Sequence, residues 1–185
     1  MYLIVGLGNP EEEYSKTRHN MGFNTINKIS KQYEISVEKK NFKGLYGIGN
    51  IENKKVILLK PQTYMNLSGE SIQEVMHYYK IKLEELIVIY DDMDIEKGIV
   101  KIRKKGGPGT HNGMKSVVHC INSQEFARVR VGIGMPEDTT ELINYVIGEL
   151  PKDEMEILDK ATTKAKDAVI EILKNGIDKA MNKFN

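Results

Sequence analysis

Short runs of branched apolar residues recur along the chain and predict the strands of a sheet. Three runs, at 3–5, 56–59 and 86–90, are continuously apolar, as expected of strands that are buried on both faces. Two others, at 99–102 and 129–133, alternate apolar with polar residues, which indicates strands with one polar face. The pattern therefore predicts five strands.

Three stretches between these runs carry apolar residues at helical spacing. Residues 21–33 and 69–80 each have one apolar face, and residues 151–174, beginning at Pro151, have the longest one. Strands alternating with helices predict an α/β fold in which a single-domain mixed β-sheet, spanning residues 1–185, is flanked by helices on both faces and followed by a C-terminal amphipathic helix. We expect the functional site at the carboxyl ends of the buried strands.

Composition excludes several classes of protein. Cys120 is the only cysteine, so neither an internal disulfide framework nor a zinc site built of cysteines can form. Cys120 lies in an apolar stretch and is expected to pack inside. No apolar run approaches the roughly 20 residues of a membrane span, so we expect no membrane association and a soluble, cytoplasmic protein. The 27 Lys and Arg residues nearly balance the 26 Asp and Glu residues, and only the distribution of charge can indicate a partner.

The distribution of charge is uneven. The segment from Lys97 to Lys115 has six basic residues and no acidic one, which suits either a solvated strand edge or a phosphate-binding surface. Within it, a glycine-rich loop at 106–113 leaves backbone N–H groups free to hold an anion and favours phosphate binding. His111 in this loop could be a base, a phosphate ligand or a donor that orders the loop. Three basic residues directly precede the loop: Arg103, Lys104 and Lys105.

A second glycine loop, Gly6–Pro10, directly follows the first predicted strand. Glu11 stands where a dinucleotide fingerprint needs its third glycine, and no P-loop is present, which excludes both kinds of nucleotide site. Taken by itself, Asn9 in this loop is best explained as an Asx turn.

His19 and a group of aspartates are the candidates for catalysis. His19 is a candidate general base because histidine alone titrates near neutrality without help. Asp91, Asp92 and Asp94 directly follow a predicted strand, and a carboxylate there could accept the imidazole N–H and stabilise the imidazolium. The alternatives for the aspartates are a turn, a helix cap or a metal site, although they lack the glycine and distal glutamate of a calcium loop.

Residues after the second buried strand offer further polar groups. Tyr64 provides a ring and a hydroxyl, and Asn66 provides an amide. Ser68 precedes a predicted helix and is expected to be its N-cap, since it does not lie in the elbow typical of a serine nucleophile.

Together these segments resemble the bacterial peptidyl-tRNA hydrolase family over nearly the whole chain. The resemblance rests on five ordered motifs: Gly6–Pro10 with Tyr14 and Thr17–Asn20, then Tyr64–Gly69, Asp91–Asp94, Gly106–Gly113 and Phe126–Gly134. Three positions depart from the usual pattern of the family, and none of them removes a side chain expected to do chemistry: Glu11 and Thr110, where glycine is usual, and Glu96, where proline is frequent.

The resemblance implies a monomeric hydrolase that cleaves the ester between a peptide and the 3′ end of tRNA, so that tRNA is recycled, with no metal or cofactor. His19 would activate a water molecule as general base, Asp91 would hold its basic form ready, and Asn9 would separate N-blocked from free aminoacyl esters. Four residues match tRNA-contacting positions: Tyr14, Tyr64, Asn66 and Asn112. To these we add candidate contacts with RNA phosphates: Arg103, Lys104, Lys105 and Arg130.

Two other functions remain open at this point. The first is an RNA-binding splicing factor on the same fold without hydrolase activity, which an exposed apolar patch would favour and a retained His19–Asp91 pair would oppose. The second, a nucleotide- or anion-binding module, rests on the glycine-rich loop alone.

Overall fold

The computed structural model describes all 185 residues and contains seven strands in one sheet and six α-helices. The strands are β1 (Tyr2–Gly6), β2 (Lys39–Asn41), β3 (Gly44–Ile51), β4 (Lys54–Pro61), β5 (Leu86–Asp92), β6 (Val100–Arg103) and β7 (Ala127–Gly132). The helices are α1 (Met21–Tyr33), α2 (Ser68–Tyr79), α3 (Asn112–Ile121), α4 (Leu142–Ile147), α5 (Lys152–Asn175) and α6 (Ile177–Phe184). The predicted α/β fold with a mixed sheet is confirmed.

Four parallel strands form the centre of the sheet, whose order is β2-β3-β4-β1-β5-β7-β6. The central strands are β4, β1, β5 and β7, and antiparallel strands continue the sheet at both edges. Because the central strands are parallel, their carboxyl ends meet at one edge, and the loops that follow them lie side by side.

Helices bury both faces of this parallel centre. Leu3 and Val5 of β1 belong to a core shared with α2 and α3, whereas Ile4 belongs to the core formed with α1, α5 and α6. Strands buried on both faces cannot alternate apolar with polar residues, which explains the continuous apolar runs of β1, β4 and β5. The amphipathic stripe predicted for the C-terminal helix is buried along α5, which begins at Lys152, one residue after the predicted start.

The sequence does not predict the hairpin of β2 and β3. Glycines at 44, 47 and 49 interrupt the apolar alternation by which a half-buried strand is recognised. Gly47 is required by a close approach, because a Cβ there would lie 1.9 Å from the carbonyl oxygen of Ser36. The glycines that make β3 hard to recognise in the sequence therefore also allow the segment containing Ser36 to pass close to the strand.

Two local predictions were wrong. Ser68 is not an N-cap but the first residue of α2, and its hydroxyl donates to the carbonyl of Met65 at 2.8 Å. Cys120 is half-buried rather than packed inside, because it lies in the last turn of α3 at the border of the buried face, where its carbonyl accepts a bond from Gln73. None of the helices combines the length and the hydropathy needed to cross a membrane.

Candidate active site

Two histidines and one aspartate meet at the carboxyl edge of the sheet. Asp91 lies near the end of β5, His19 lies in the buried turn at residues 18–20 that precedes α1, and His111 is the N-cap of α3. Nδ1 of His19 lies 2.9 Å from one carboxylate oxygen of Asp91, and Nε2 of His111 lies 3.0 Å from the other. The two rings therefore engage both carboxylate oxygens. Because the Asp91 side chain is only 1% exposed, water is excluded from it.

Hydrogen bonding assigns a proton to each ring. Nδ1 of His111 accepts the backbone N–H of Met114 at 3.1 Å, so its proton is on Nε2, which donates to Asp91. His19 likewise donates its Nδ1 proton to Asp91, because an ionised carboxylate can only accept. The Nε2 lone pair of His19 is therefore the basic one.

The ionisation of the pair follows from burial and charge acting in opposite directions. Burial favours the neutral acid, but the charges and hydrogen bonds of His19 and His111 outweigh it and hold the pKa of Asp91 well below its usual range. Burial also favours the neutral form of His19, which would lower its pKa. The charge and the hydrogen bond of Asp91 together outweigh burial and raise the pKa of His19 above its ordinary 6.5.

The three side chains also have the residue types of a metal site. One ligand atom from each of His19, Asp91 and His111 lies within 4.8 Å of the others. A neutral imidazole binds a metal through its unprotonated nitrogen. That nitrogen of His111 is Nδ1, which caps α3, so metal binding at Nε2 would require the cap to be given up. The arrangement fits a hydrogen-bonded pair of rings better than a metal centre.

A cavity of about 450 Å³ opens over these residues and has two chemically different walls. One wall is apolar and is formed by side chains of the β5–β6 loop and of α4: Met93, Ile95, Leu142, Ile143 and Val146. A second group of lining residues, the basic wall, comes from β6 and β7: Lys101, Arg103, Arg128 and Arg130. The cavity therefore suits a ligand that is apolar in one part and anionic in another.

The basic wall concentrates positive charge. Arg103 lies opposite Arg128, and Lys101 lies opposite Arg130, on the paired strands β6 and β7. Like charges at such positions repel each other, and only Asp92, 3.4 Å from Arg130, offsets one of them within the protein. An anionic ligand would relieve this repulsion.

Two of the four predicted phosphate contacts belong to this wall and two do not. Arg103 and Arg130 line the cavity, whereas Lys104 pairs with Asp178 of α6, and Lys105 is an exposed side chain outside the lining. The run of three basic residues is split in this way because alternate residues of a strand point to opposite faces and the strand ends at Arg103.

Arg128 is a site residue that the sequence does not single out. It is almost fully buried, stacks on the ring of Phe126 at 4.3 Å and donates to the carbonyl of Gln124 at 2.8 Å. Its position two residues before Arg130 on one strand was the available signal, because such residues share a face.

The glycine-rich loop at 106–109 also lines the cavity, but part of its expected anion-binding capacity is used within the protein. The N–H of Gly106 donates to the carbonyl of Gln124, and His111 already accepts the N–H of Met114 at the start of α3. Of the three roles left open for His111, the hydrogen bonds fit the donor best, since Nε2 donates to Asp91 while Nδ1 caps α3.

Asn9 joins three segments beside the His19 turn. Its side-chain oxygen accepts the backbone N–H of Met65 at 2.9 Å, and its own N–H and C=O bond to the side chain of Asn20. The local Asx turn expected from the sequence is therefore wrong, because the acceptor oxygen binds a residue 56 positions away. The Nδ2 group of Asn9 has no hydrogen-bond partner within the protein and remains available as a donor.

The remaining predicted contacts spread outward from the cavity. Asn112 lines both the cavity and a neighbouring groove between α2 and α3, and Asn66 lines only that groove. Tyr64 is half-exposed, has a left-handed φ of +59° and bonds to Glu11 through its hydroxyl. Tyr14 is half-buried, and its carbonyl accepts the hydroxyl of Thr17. Of these four residues, only Asn112 reaches the cavity itself.

Comparison with known proteins supports one family. The sequence profile described as peptidyl-tRNA hydrolase matches residues 3–185. Peptidyl-tRNA hydrolases from Thermoanaerobacter sp. and Clostridium botulinum are each 51% identical to this chain over all of its 185 residues, which cover 100% and 97% of those proteins. The crystal structure of peptidyl-tRNA hydrolase from Acinetobacter baumannii superposes with a TM-score of 0.94 at 37% identity, covering 100% of this chain and 94% of that one. With the sequence and the fold in agreement over nearly its whole length, the chain belongs to the peptidyl-tRNA hydrolase family.

Proposed function

We propose that the protein hydrolyses the ester that joins a peptide, or an N-blocked aminoacyl group, to the 3′ end of tRNA. The observation that carries the proposal is His19: its Nδ1 is held by a buried carboxylate at 2.9 Å, and the ring lines a cavity that has a basic wall. Membership of the family supports the same reaction.

In the reaction, Nε2 of His19 removes a proton from a water molecule as the oxygen attacks the ester carbonyl. The imidazolium that forms is stabilised by Asp91, whose other oxygen is fixed by His111, so that the carboxylate cannot turn away. When the tetrahedral intermediate collapses, the proton passes to the departing ribose oxygen, and the peptide acid and tRNA are released. General base catalysis of this kind accelerates a reaction by about 10²–10⁴-fold.

The direct test is incubation of the purified protein with N-acetyl-aminoacyl-tRNA and with the unblocked aminoacyl-tRNA as control. We expect release of the acetylated amino acid and much slower release of the free one. Absence of release from the blocked substrate would overturn the proposed function.

Substitution of Asn9 by aspartate tests the proposed recognition of the blocked amino group. Asp at this position keeps an oxygen for the N–H of Met65 but replaces the free Nδ2 donor with an acceptor. We expect kcat/KM of the folded variant for N-acetyl-aminoacyl-tRNA to fall by about 10²-fold, as for loss of a donor to a substrate carbonyl. An unchanged kcat/KM would show that the Asn9 amide does not contact the substrate.

Substitution of Arg103 by glutamine tests the proposed RNA contact. Arg103 lines the basic wall, so its loss should raise KM more than it lowers kcat, most at low salt, and should reduce the slope of log KM against log salt by about 0.7–0.9. Lys164→Gln is the matched control, because Lys164 is exposed on α5 and contributes the same charge outside the cavity. Identical salt slopes for the two variants would contradict phosphate binding by Arg103.

The splicing-factor alternative gains no support. The His19–Asp91 pair is intact, and the relatives that match the full chain carry the hydrolase name. We also propose that residues 1–185 act as one domain, since one continuous sheet joins all seven strands, and as a cytoplasmic monomer, as the family resemblance implies and because the substrate arises in translation.

A further inference from the structure

Arg18 directly precedes His19 and has no part in the reaction described above. It is a buried residue whose guanidinium group points away from Asp91, toward α4 and the first turn of α5. A buried charge of this kind is costly unless it is paired and hydrogen-bonded, so the contacts of its two terminal nitrogens indicate what Arg18 holds in place.

We propose that Arg18 is a positioning residue that fastens the apolar wall of the cavity to the turn bearing His19, and so determines how well the substrate binds. The inference rests on the proposed function, since its readout is KM for peptidyl-tRNA. Arg18 does not itself line the cavity, so the proposal adds a more distant residue to those that determine the shape of the cavity.

The guanidinium group makes three contacts that only arginine can make together. One terminal nitrogen donates to the carbonyl of Tyr145 at 2.9 Å, and the plane lies 3.8 Å from the centre of the Tyr145 ring. The other terminal nitrogen donates to Glu154 at 2.5 Å. A lysine ammonium is a single point charge and cannot stack on the ring while also bridging two acceptors in one plane.

Helix α4 needs such an anchor. It has six residues, none of them buried, and a helix of this length does not persist on its own in water. Leu142, Ile143 and Val146 of α4 nevertheless form much of the apolar wall. Their position therefore depends on contacts from elsewhere in the chain.

The contacts that hold α4 converge on the segment that leads to His19. Besides Arg18, Thr17 forms an isolated bridge with Glu149, and the carbonyl of Lys16 accepts the N–H of Leu150. On the other side, the Tyr145 hydroxyl donates to the carbonyl of Ile133 after β7. Arg18 is the one side chain that joins the His19 turn, α4 and α5 through charge.

Arg18→Lys tests the proposal because it keeps the charge and removes the planar fork. For the folded variant acting on N-acetyl-aminoacyl-tRNA, we expect KM to rise about tenfold, as for loss of a hydrogen bond to a charged group. We expect kcat to stay within about twofold and the acid-side midpoint of the pH profile to stay in place, since Asp91 is untouched. A purely structural role would lower Tm and leave KM of the folded enzyme unchanged.

Lys97→Met is the matched control. Lys97 pairs with the other oxygen of Glu154 at 2.5 Å, so its loss removes an ion pair of the same carboxylate and leaves the contacts of Arg18 with Tyr145 intact. We expect KM to be unchanged in this variant. A rise equal to that of Arg18→Lys would assign the effect to the ion pairing of Glu154 and overturn the role of Arg18.

A double-mutant cycle with Ile143→Ser identifies the wall as the route. Ile143 is 72% exposed on α4, so its substitution does not disturb the core. We expect Ile143→Ser to raise KM in the wild-type background and to have little further effect in Arg18→Lys, because the wall is already displaced. Full additivity would overturn the proposal.

Two further outcomes are separable. If Arg18→Lys fails to fold, Tyr145→Leu removes both the stacking surface for Arg18 and the hydroxyl bond to Ile133, whereas Tyr145→Phe removes the hydroxyl alone and is the reference: KM should rise further in the leucine variant than in the phenylalanine variant, and equal KM values would overturn the role of Arg18. If wild-type protein releases nothing from the blocked substrate, the proposed function fails, whereas an active wild type with an unchanged KM in Arg18→Lys overturns only the role of Arg18.

Discussion

Replacement of His19 by alanine is expected to abolish hydrolysis of N-acetyl-aminoacyl-tRNA. In the proposed reaction the Nε2 lone pair of His19 is the base that activates water, and no neighbouring group can replace it: Asp91 is a carboxylate and therefore a much weaker base than an imidazole, and both nitrogens of His111 are engaged. We expect kcat to fall by about 10²–10⁴-fold or more. Because the basic wall is unchanged, the dissociation constant for tRNA should stay close to that of the wild type.

His77→Ala is the control for this variant. His77 is exposed on α2 and lies outside the cavity, so its loss removes an imidazole without touching the proposed machinery. Initial rates, together with tRNA binding measured by filter retention, distinguish the two histidines. Turnover close to wild type in His19→Ala would remove His19 from the mechanism and, with it, the chemical basis of the proposed reaction.

The parallel centre of the sheet could be predicted from the sequence because burial on both faces leaves a local trace. Each of β1, β4 and β5 is a short, continuous apolar run, and the run is visible without knowledge of its neighbours. The β3 strand leaves no such trace, since its glycines are explained only by a close approach of the Ser36 carbonyl from a segment that precedes the hairpin.

Part of the candidate site could also be predicted from the sequence, namely the proximity of His19 and Asp91. His19 and Asp91 stand at the ends of predicted elements that meet at one edge, so their proximity follows from fold topology. The role of His111 does not, because it depends on which way the ring turns: toward the Met114 N–H on one side and Asp91 on the other. The role of Arg18 is hidden for a similar reason, since its partners Tyr145 and Glu154 lie more than a hundred residues further along the chain.

The His19–Asp91 pair has opposite consequences for stability and for catalysis. Because the folded state raises the pKa of His19, the pair stabilises the fold fully below the unfolded value of about 6.5, and this contribution is lost as pH rises through the folded pKa. The proposed reaction needs the neutral ring, so activity is expected to appear over the same pH window in which the extra stability disappears.

Replacement of Asp91 by asparagine is expected to move the acid-side midpoint of kcat/KM downward and to lower the rate by about 10²–10⁴-fold. In the wild type, the carboxylate outweighs burial and holds the pKa of His19 above 6.5. Asparagine removes the charge and leaves burial, which acts in the opposite direction, so the midpoint should pass from above 6.5 to below it. The Asp91→Asn protein should therefore be slower than the wild type, but it should retain its activity down to a lower pH.

The predicted shift of the midpoint from above 6.5 to below it distinguishes an electrostatic role of Asp91 from a structural one. Loss of packing or of an ordering hydrogen bond would reduce the active fraction at every pH and leave the midpoint in place. Asp94→Asn is the matched control: it removes the same charge from an exposed position three residues away, and its midpoint should stay at the wild-type value because His19 makes its carboxylate contact with Asp91 alone. Equal midpoints in all three proteins, measured as kcat/KM from about pH 5 to 9, would make Asp91 a bystander to the protonation of His19.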